Sequence, residues 1–238
     1  MDYMDLLSSL GVASAHPGGF AATKKLLERV GPPGELRILE VGCGTGKTAC
    51  YMAKNGYRVT AIEQHPVMLE KARERAEKEG VTGVEWVQGD VHALPFDDEA
   101  FDVLLAESVT IFTNIHRSLA EYFRVLKPKG RLFDRELVRY KKIPAAMFQE
   151  WTEYLKTDSL LSRDEWLSAL RQAGFRCEAP PLENFRSQEY SGDPDEINEL
   201  DLSKLLDPEI GQGLMRYTQL MFAQESYFRV CEFQACKD

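Results

Sequence analysis

The spacing of apolar positions changes repeatedly along the first 140 residues, and these changes predict alternating strands and helices. Segments with an apolar face at helical spacing predict helices at 47–55, 66–80 and 114–126. Short apolar runs typical of buried strands occur at 36–41, 57–63, 84–88, 101–106 and 130–133. This alternation predicts a parallel sheet with right-handed crossovers, in which ligands bind beyond the carboxyl ends of the strands.

The pattern is different at the two ends of the chain. An amphipathic helix is predicted within 21–30, packed on the sheet edge. After residue 140, the pattern predicts successive helices at 144–157 and 162–173, a sixth strand at 174–178, a polar and partly helical segment at 192–217, and a seventh strand near an edge at 226–235.

Three alternating glycines, Gly42, Gly44 and Gly46, follow the first predicted strand. Glycine has no Cβ and accepts positive φ, so this loop permits a tight turn and a close approach of a ligand to the main chain. The spacing matches the dinucleotide pattern G-x-G-x-x-A at 44–49, and Gly46 also begins the last three residues of a P-loop. A P-loop needs glycine where the chain has Val41, whereas the dinucleotide interpretation stays open on these residues alone.

Acidic residues close the next two strands. Glu63 lies 21 positions after Gly42, where a carboxylate can accept hydrogen bonds from both ribose hydroxyls, although a helix N-cap is its structural alternative. Asp90 and the amide of Val91 match the amino group and ring nitrogen of adenine, and an Asx turn is the alternative there. A ribose contact at Glu63 alone does not separate dinucleotides from other adenosine cofactors, and the separation comes from Gly89-Asp90-Val91 after the third strand.

Composition narrows the class of protein. The chain has 238 residues, 44% hydrophobic and 28% charged, which suits one globular α/β domain. The excess of 38 acidic over 29 basic residues gives a net charge of −9 and argues against nucleic acid as a partner. Without a membrane-length apolar run or a basic signal-peptide start, the chain is predicted to be cytoplasmic with no membrane partner. Five cysteines without C-x-x-C spacing predict reduced thiols and no metal site.

In order and spacing, the motifs at 40–46, 63, 89–91, 101–103 and 126–132 resemble the class I S-adenosylmethionine-dependent methyltransferases, in particular their small-molecule-acting, type 11/25-like group. The resemblance implies a Rossmann-like seven-stranded, mostly parallel sheet with helices on both faces and an antiparallel last strand. It also implies S-adenosylmethionine as cofactor and in-line transfer of its methyl group to a small-molecule acceptor. Lys129 departs from the family, which commonly has glycine there. The alternatives are an NAD(P)-dependent oxidoreductase and a non-catalytic S-adenosylmethionine-binding protein.

The resemblance also implies site residues. Glu40 would hold the glycine loop and the methionine amino group, Glu63 the ribose, and Asp90 with Val91 the adenine. Because in-line displacement depends mostly on alignment, a general base is optional, and the candidates are His16, Glu107 and His116. The complete predicted cofactor set is Glu40, Gly42, Cys43, Gly44, Gly46, Glu63, Gln64, Asp90, Val91 and Glu107.

We predict a single methyltransferase domain over 1–238, active as a monomer or homodimer. Residues 1–33 would form an N-terminal helical lid or cap, 34–140 the cofactor-binding core, and 141–238 a C-terminal half with helical insertions on the substrate side. Residues 16–20 are a candidate lid segment, with a plain turn before a helix as the alternative. Aromatic candidates for an apolar acceptor pocket are Tyr3, Phe112, Phe148, Trp151, Tyr154, Phe185, Tyr190, Tyr217 and Phe222.

Overall fold

A computed structural model describes residues 3–10, 16–157, 159–184 and 202–238. None of the helices in these ranges has both the length and the apolar character needed to cross a bilayer. The helices are α1 (Tyr3–Leu10), α2 (Gly19–Val30), α3 (Lys47–Lys54), α4 (Pro66–Lys78), α5 (Ile115–Val125), α6 (Ala145–Leu155), α7 (Arg163–Gln172) and α8 (Pro208–Gln224). The strands are β1 (Arg37–Val41), β2 (Arg58–Glu63), β3 (Val84–Gln88), β4 (Phe101–Glu107), β5 (Leu126–Arg139), β6 (Arg176–Cys177), β7 (Glu183–Asn184) and β8 (Phe228–Cys236).

These strands form one sheet in the order β3-β2-β1-β4-β5-β8-β6, with β7 paired to β8. Strands β1 to β5 are parallel, and β8 runs antiparallel to β5. The predicted Rossmann-like fold with an antiparallel last strand near an edge is therefore confirmed. The described sheet has eight strands where seven were predicted, because the two-residue β7 adds a short pairing with β8. The first part of the polar segment predicted at 192–217 lies outside the described residues.

The register of the central strands determines where a ligand can bind. Val41 at the end of β1 pairs with Ile62 of β2 and with Ala106 of β4. The residues that follow these three positions therefore emerge side by side at one edge of the sheet. They include the glycine loop, Glu63 and Glu107, which are far apart in sequence.

Helix α2 packs on a face of the sheet, so the prediction that it packs on the sheet edge is wrong. Its buried Leu26 and Val30 belong to the same apolar cluster as Ile38, Val103 and Phe133, which come from β1, β4 and β5. This cluster also contains apolar residues of α3 and α4, so these three helices cover one face. Helices α5 and α7 contribute to the larger cluster on the opposite face.

The backbone conformation at Lys129 accounts for the glycine that is common at this position in the family that the chain resembles. Lys129 lies in β5 with φ at 65°, a left-handed conformation that glycine adopts without strain. Its amide donates a hydrogen bond to the Lys237 carbonyl at 2.7 Å, which ties the turn to the last residues of the chain. The departure from the family pattern is thus local and distant from the strand ends described above.

Candidate active site

A cavity of about 250 Å³ lies at the carboxyl ends of β1, β2 and β4. Its position is the one that the parallel sheet predicts for a ligand. Eight of the ten predicted cofactor residues line it: Glu40, Gly42, Cys43, Gly44, Glu63, Gln64, Val91 and Glu107.

Gly46 and Asp90 are not among the lining residues. Gly46 precedes α3, where a Cβ would come within 2.8 Å of side-chain atoms of Trp86 and Ala72, so this glycine serves packing. The Asp90 side chain is about half exposed, and its Oδ1 accepts hydrogen bonds from the amide and Nδ1 of His92 at 2.9 and 2.8 Å. His92 Nε2 in turn accepts from the Asn114 amide, which fixes the neutral tautomer with its proton on Nδ1.

Glu63 connects the glycine loop to the end of β2. Its carboxylate accepts from the Gly44 amide at 3.0 Å and from the His65 amide at 2.9 Å. The side chain is buried, and each oxygen keeps a further lone pair. Glu63 therefore orders the loop and still has acceptor capacity for a ligand.

Glu40 is a buried acceptor at the cavity. Within the described residues its Oε2 has no hydrogen-bond partner. Burial, together with the nearby carboxylates of Glu107 and Glu63, raises the pKa of Glu40 well above its usual range. None of the described residues that line the cavity is Lys or Arg, so a bound cation that donates a hydrogen bond would offset the repulsion among these acids and favour the ionised form of Glu40.

Helix α1 forms another wall of the cavity through Tyr3 and Leu7. The Tyr3 ring stacks on Phe112 and on Tyr217, with both centroid distances at 5.6 Å. Lys71 of α4 donates to the Ser8 carbonyl at 2.9 Å, so α1 contacts α4 as well as Tyr217 of α8. Of the other aromatic candidates, Tyr154 contacts the Tyr3 ring, whereas Trp151 packs against Phe228 and Phe148 lies outside this cavity. Phe185 and Tyr190 lie outside the described residues, and the side chain of Phe222 is not described.

The three candidate bases occupy different environments. His16 and Glu107 line the cavity and lie close together, with Nε2 and Oε1 separated by 3.7 Å. His116 is exposed on α5 and does not line the cavity. The structure therefore brings two of the three candidates to the site.

Comparison with known proteins shows the family. The chain is 37% identical over 236 residues to the uncharacterized methyltransferase YodH of Bacillus subtilis (strain 168), a match that covers 99% of each chain. The chain belongs to the class I S-adenosylmethionine-dependent methyltransferases. Residues 39–134 of this methyltransferase also match the family described as "Methyltransferase domain".

Two solved structures extend the comparison. The [4+2]-cyclase SpnF is 26% identical, with a TM-score of 0.76 over 98% of this chain and 92% of that chain. The phosphoethanolamine N-methyltransferase 2 of Haemonchus contortus, solved with S-adenosyl-L-methionine, has a TM-score of 0.76 over 99% of this chain and 56% of that chain. At 21% identity, the second similarity shows the fold alone.

The cavity of the methyltransferase fits its cofactor. S-adenosylmethionine carries a sulfonium and an ammonium group, and the unpartnered Oε2 of Glu40 is an acceptor suited to a cationic donor. At Gly44 an added Cβ would meet only Met68 Cε, at 3.7 Å, so the glycine lets a ligand approach the main chain closely, whereas the space at Gly42 is filled by Val109. Among the described residues, no group of His, Cys, Asp and Glu side chains suited to a metal ion occurs.

Sequence reasoning missed a buried pair of acids beside the cavity. Asp134 and Glu136 of β5 are fully buried, and neither Asp134 Oδ1 nor Glu136 Oε2 has a hydrogen-bond donor among the described residues. Glu136 Oε1 accepts from the amides of Val109, Thr110 and Ile111 at 3.0, 2.7 and 3.3 Å. Burial raises the pKa of both acids, and one proton shared between Asp134 Oδ1 and Glu136 Oε2 would satisfy both oxygens.

This pair is expected to make stability fall as pH rises. Burial raises the pKa of Asp134 to about 7, whereas an unfolded aspartate titrates near 3.9. The proton's stabilising contribution is complete below the unfolded pKa and is lost as pH rises through the folded value, with a slope of up to about 1.4 kcal/mol per pH unit. Urea unfolding at several pH values measures this slope.

Asp134→Asn keeps a hydrogen-bond donor toward Glu136 but carries no titrating proton, so its stability should depend less on pH than that of the wild type. The exposed Asp97→Asn serves as a matched control and should keep the wild-type slope. Equal slopes in the wild type and Asp134→Asn would contradict the shared proton.

Proposed function

We propose that this methyltransferase acts on a small acceptor that is uncharged or cationic and has an apolar body. In this proposal Glu40 binds the amino group of S-adenosylmethionine and Glu63 its ribose. Val91 binds the adenine together with Asp90, which uses Oδ2 because its Oδ1 accepts from His92. The bound cofactor supplies an activated methyl group. The protein aligns the acceptor with it and excludes water, and alignment of this kind accounts for a large part of the rate in displacement reactions.

The observation that carries the proposal is the lining of the cavity between the glycine loop and α1. Tyr3, Leu7, Val109 and Phe112 give it an apolar wall. The carboxylates are on the cofactor side, and no described lining residue is a Lys or Arg that would pair with an anionic acceptor. The wall provided by α1 favours a small molecule over a macromolecular segment.

The comparisons support only part of this proposal. The Haemonchus contortus protein is named for a phosphorylated acceptor, and we do not transfer that acceptor here because the described cavity lining offers phosphate no cationic partner. SpnF is named as a cyclase, so similarity to it does not establish methyl transfer. The experiment must therefore measure transfer as well as binding.

A series of phenols of similar size and different charge tests the acceptor class. We expect S-adenosylhomocysteine to be released with neutral 4-ethylphenol and cationic tyramine, and at least about tenfold more slowly with anionic 4-hydroxyphenylacetate, because the cavity already holds carboxylates. Release is measured by chromatography after incubation with S-adenosylmethionine. A preference for the anion, or release only with a protein or nucleic acid acceptor, would overturn the proposal.

A further inference from the structure

The side chain of His16 is buried and lines the cavity. His16 lies just before α2, and its side chain is only 7% exposed. The described residues provide no hydrogen-bond partner for Nδ1. Since unpaired buried polar atoms are rare, this nitrogen calls for a ligand.

Thr23 determines which nitrogen of His16 carries the proton. The fully buried Thr23 Oγ1 lies 3.0 Å from both carboxylate oxygens of Glu107 and 3.2 Å from His16 Nε2. A carboxylate only accepts hydrogen bonds, so the single Thr23 hydroxyl proton goes to Glu107. The hydroxyl oxygen then accepts from Nε2–H, which leaves the lone pair on Nδ1.

Arg135 of β5 binds the backbone next to His16. This buried guanidinium donates from Nε to the Pro17 carbonyl at 2.9 Å and from Nη2 to Glu183 at 2.8 Å. Gly18, with φ at 87°, leaves the space that the guanidinium occupies, since a Cβ there would lie 3.1 Å from Nη2. His16 is therefore fixed to the sheet on one side and to Glu107 on the other.

We propose that His16 is the general base of this enzyme, accepting the acceptor's proton on Nδ1, and that Thr23 and Glu107 position it. The inference rests on the proposed function and deepens it, because it limits the acceptor to one with a hydroxyl, amine or thiol proton. As the acceptor's lone pair forms the bond to the methyl carbon, the carbon–sulfur bond pair stays on sulfur and the acceptor proton moves to Nδ1. The resulting imidazolium has Glu107 Oε1 at 3.7 Å as its counter-charge.

The proton position can be measured without any acceptor. In full-length protein labelled with ¹⁵N-histidine, the nitrogen resonances of His16 should show a protonated Nε2 and an unprotonated Nδ1, assigned by their loss in His16→Gln. Thr23→Ser keeps the hydroxyl and should keep this tautomer, whereas Thr23→Val removes it and should shift the population toward the other tautomer. A wild-type His16 with its proton on Nδ1 would overturn the proposal.

Kinetics with 4-ethylphenol tests the proton transfer itself. Gln at position 16 keeps a donor toward Thr23 but takes no proton, so His16→Gln should lower kcat about 10²–10⁴-fold. Calorimetry should give an unchanged affinity for S-adenosylmethionine, which separates this loss from a loss of structure. The exposed His116→Gln is the matched control and should keep the wild-type rate.

The two proposals fail in different ways. If the wild type releases no S-adenosylhomocysteine with any small acceptor, the proposed acceptor class is wrong. If the wild type is active and His16→Gln is equally active, the acceptor class stands and the general-base role of His16 is wrong.

Discussion

Glu136→Ala is expected to destabilise the folded protein by about 3–5 kcal/mol, the usual cost of removing one member of a buried charged network. The change takes away the acceptor of three amides, at Val109, Thr110 and Ile111, and leaves Asp134 without its partner. Urea unfolding at constant pH, followed by circular dichroism, measures the loss.

Glu136→Gln provides the graded control for this prediction. Its amide oxygen still accepts from the turn, so it should lose clearly less stability than the alanine variant. Glu70→Ala, on the exposed side of α4, reports the cost of removing a surface carboxylate and should change stability by less than about 0.5 kcal/mol. A Glu136→Ala protein as stable as Glu70→Ala would show that the turn does not depend on this acid.

Gly42→Ala is expected to reduce both stability and cofactor affinity. A Cβ at this position would lie 2.5 and 2.9 Å from the two methyl carbons of Val109, and φ is 62°. Overpacking costs about 1–3 kcal/mol and the left-handed conformation roughly 1–2 kcal/mol more. Because the loop lines the cavity, its displacement should weaken S-adenosylmethionine binding at least about tenfold, as measured by calorimetry.

Two variants separate the causes of that loss. Gly80 has nearly the same φ, 63°, and a Cβ there would meet no atom of the described residues within 4 Å, so Gly80→Ala isolates the backbone cost. Adding Val109→Ala to Gly42→Ala removes the clashing methyl groups and should recover the steric part. If Gly42→Ala and Gly80→Ala lose equal stability, contact with Val109 has no energetic role.

The core of the fold could be predicted because its signals are local. The apolar run before Gly42, the acid at Glu63 and the strand at Val84–Gln88 each fall within a few residues of sequence, and the structure has the corresponding elements. The parallel order of the strands then follows from their alternation with helices. The class of cofactor could be predicted from the same segment, since the relevant residues lie in the last positions of the strands or directly after them.

The contacts among the residues near the proposed acceptor position could not be predicted from local sequence signals. Thr23 and Glu107 are 84 positions apart, and their contact depends on how α2 crosses the sheet. The pair at Asp134 and Glu136 had a detectable signal, because residues two apart in a strand share a face. Their charges interrupt the apolar run at 130–133 with which the predicted strand opens, whereas the structure continues β5 to Arg139 because a shared proton and three amides compensate for burial.

The acidic cofactor side of the cavity bears on how the enzyme finishes a turnover. Methyl transfer removes the positive charge from the cofactor's sulfur, while Glu40, Glu63 and Glu107 keep their places around the cavity. The electrostatic attraction that draws in the charged donor is therefore weaker for its uncharged-sulfur product. This difference favours exchange of spent for fresh donor.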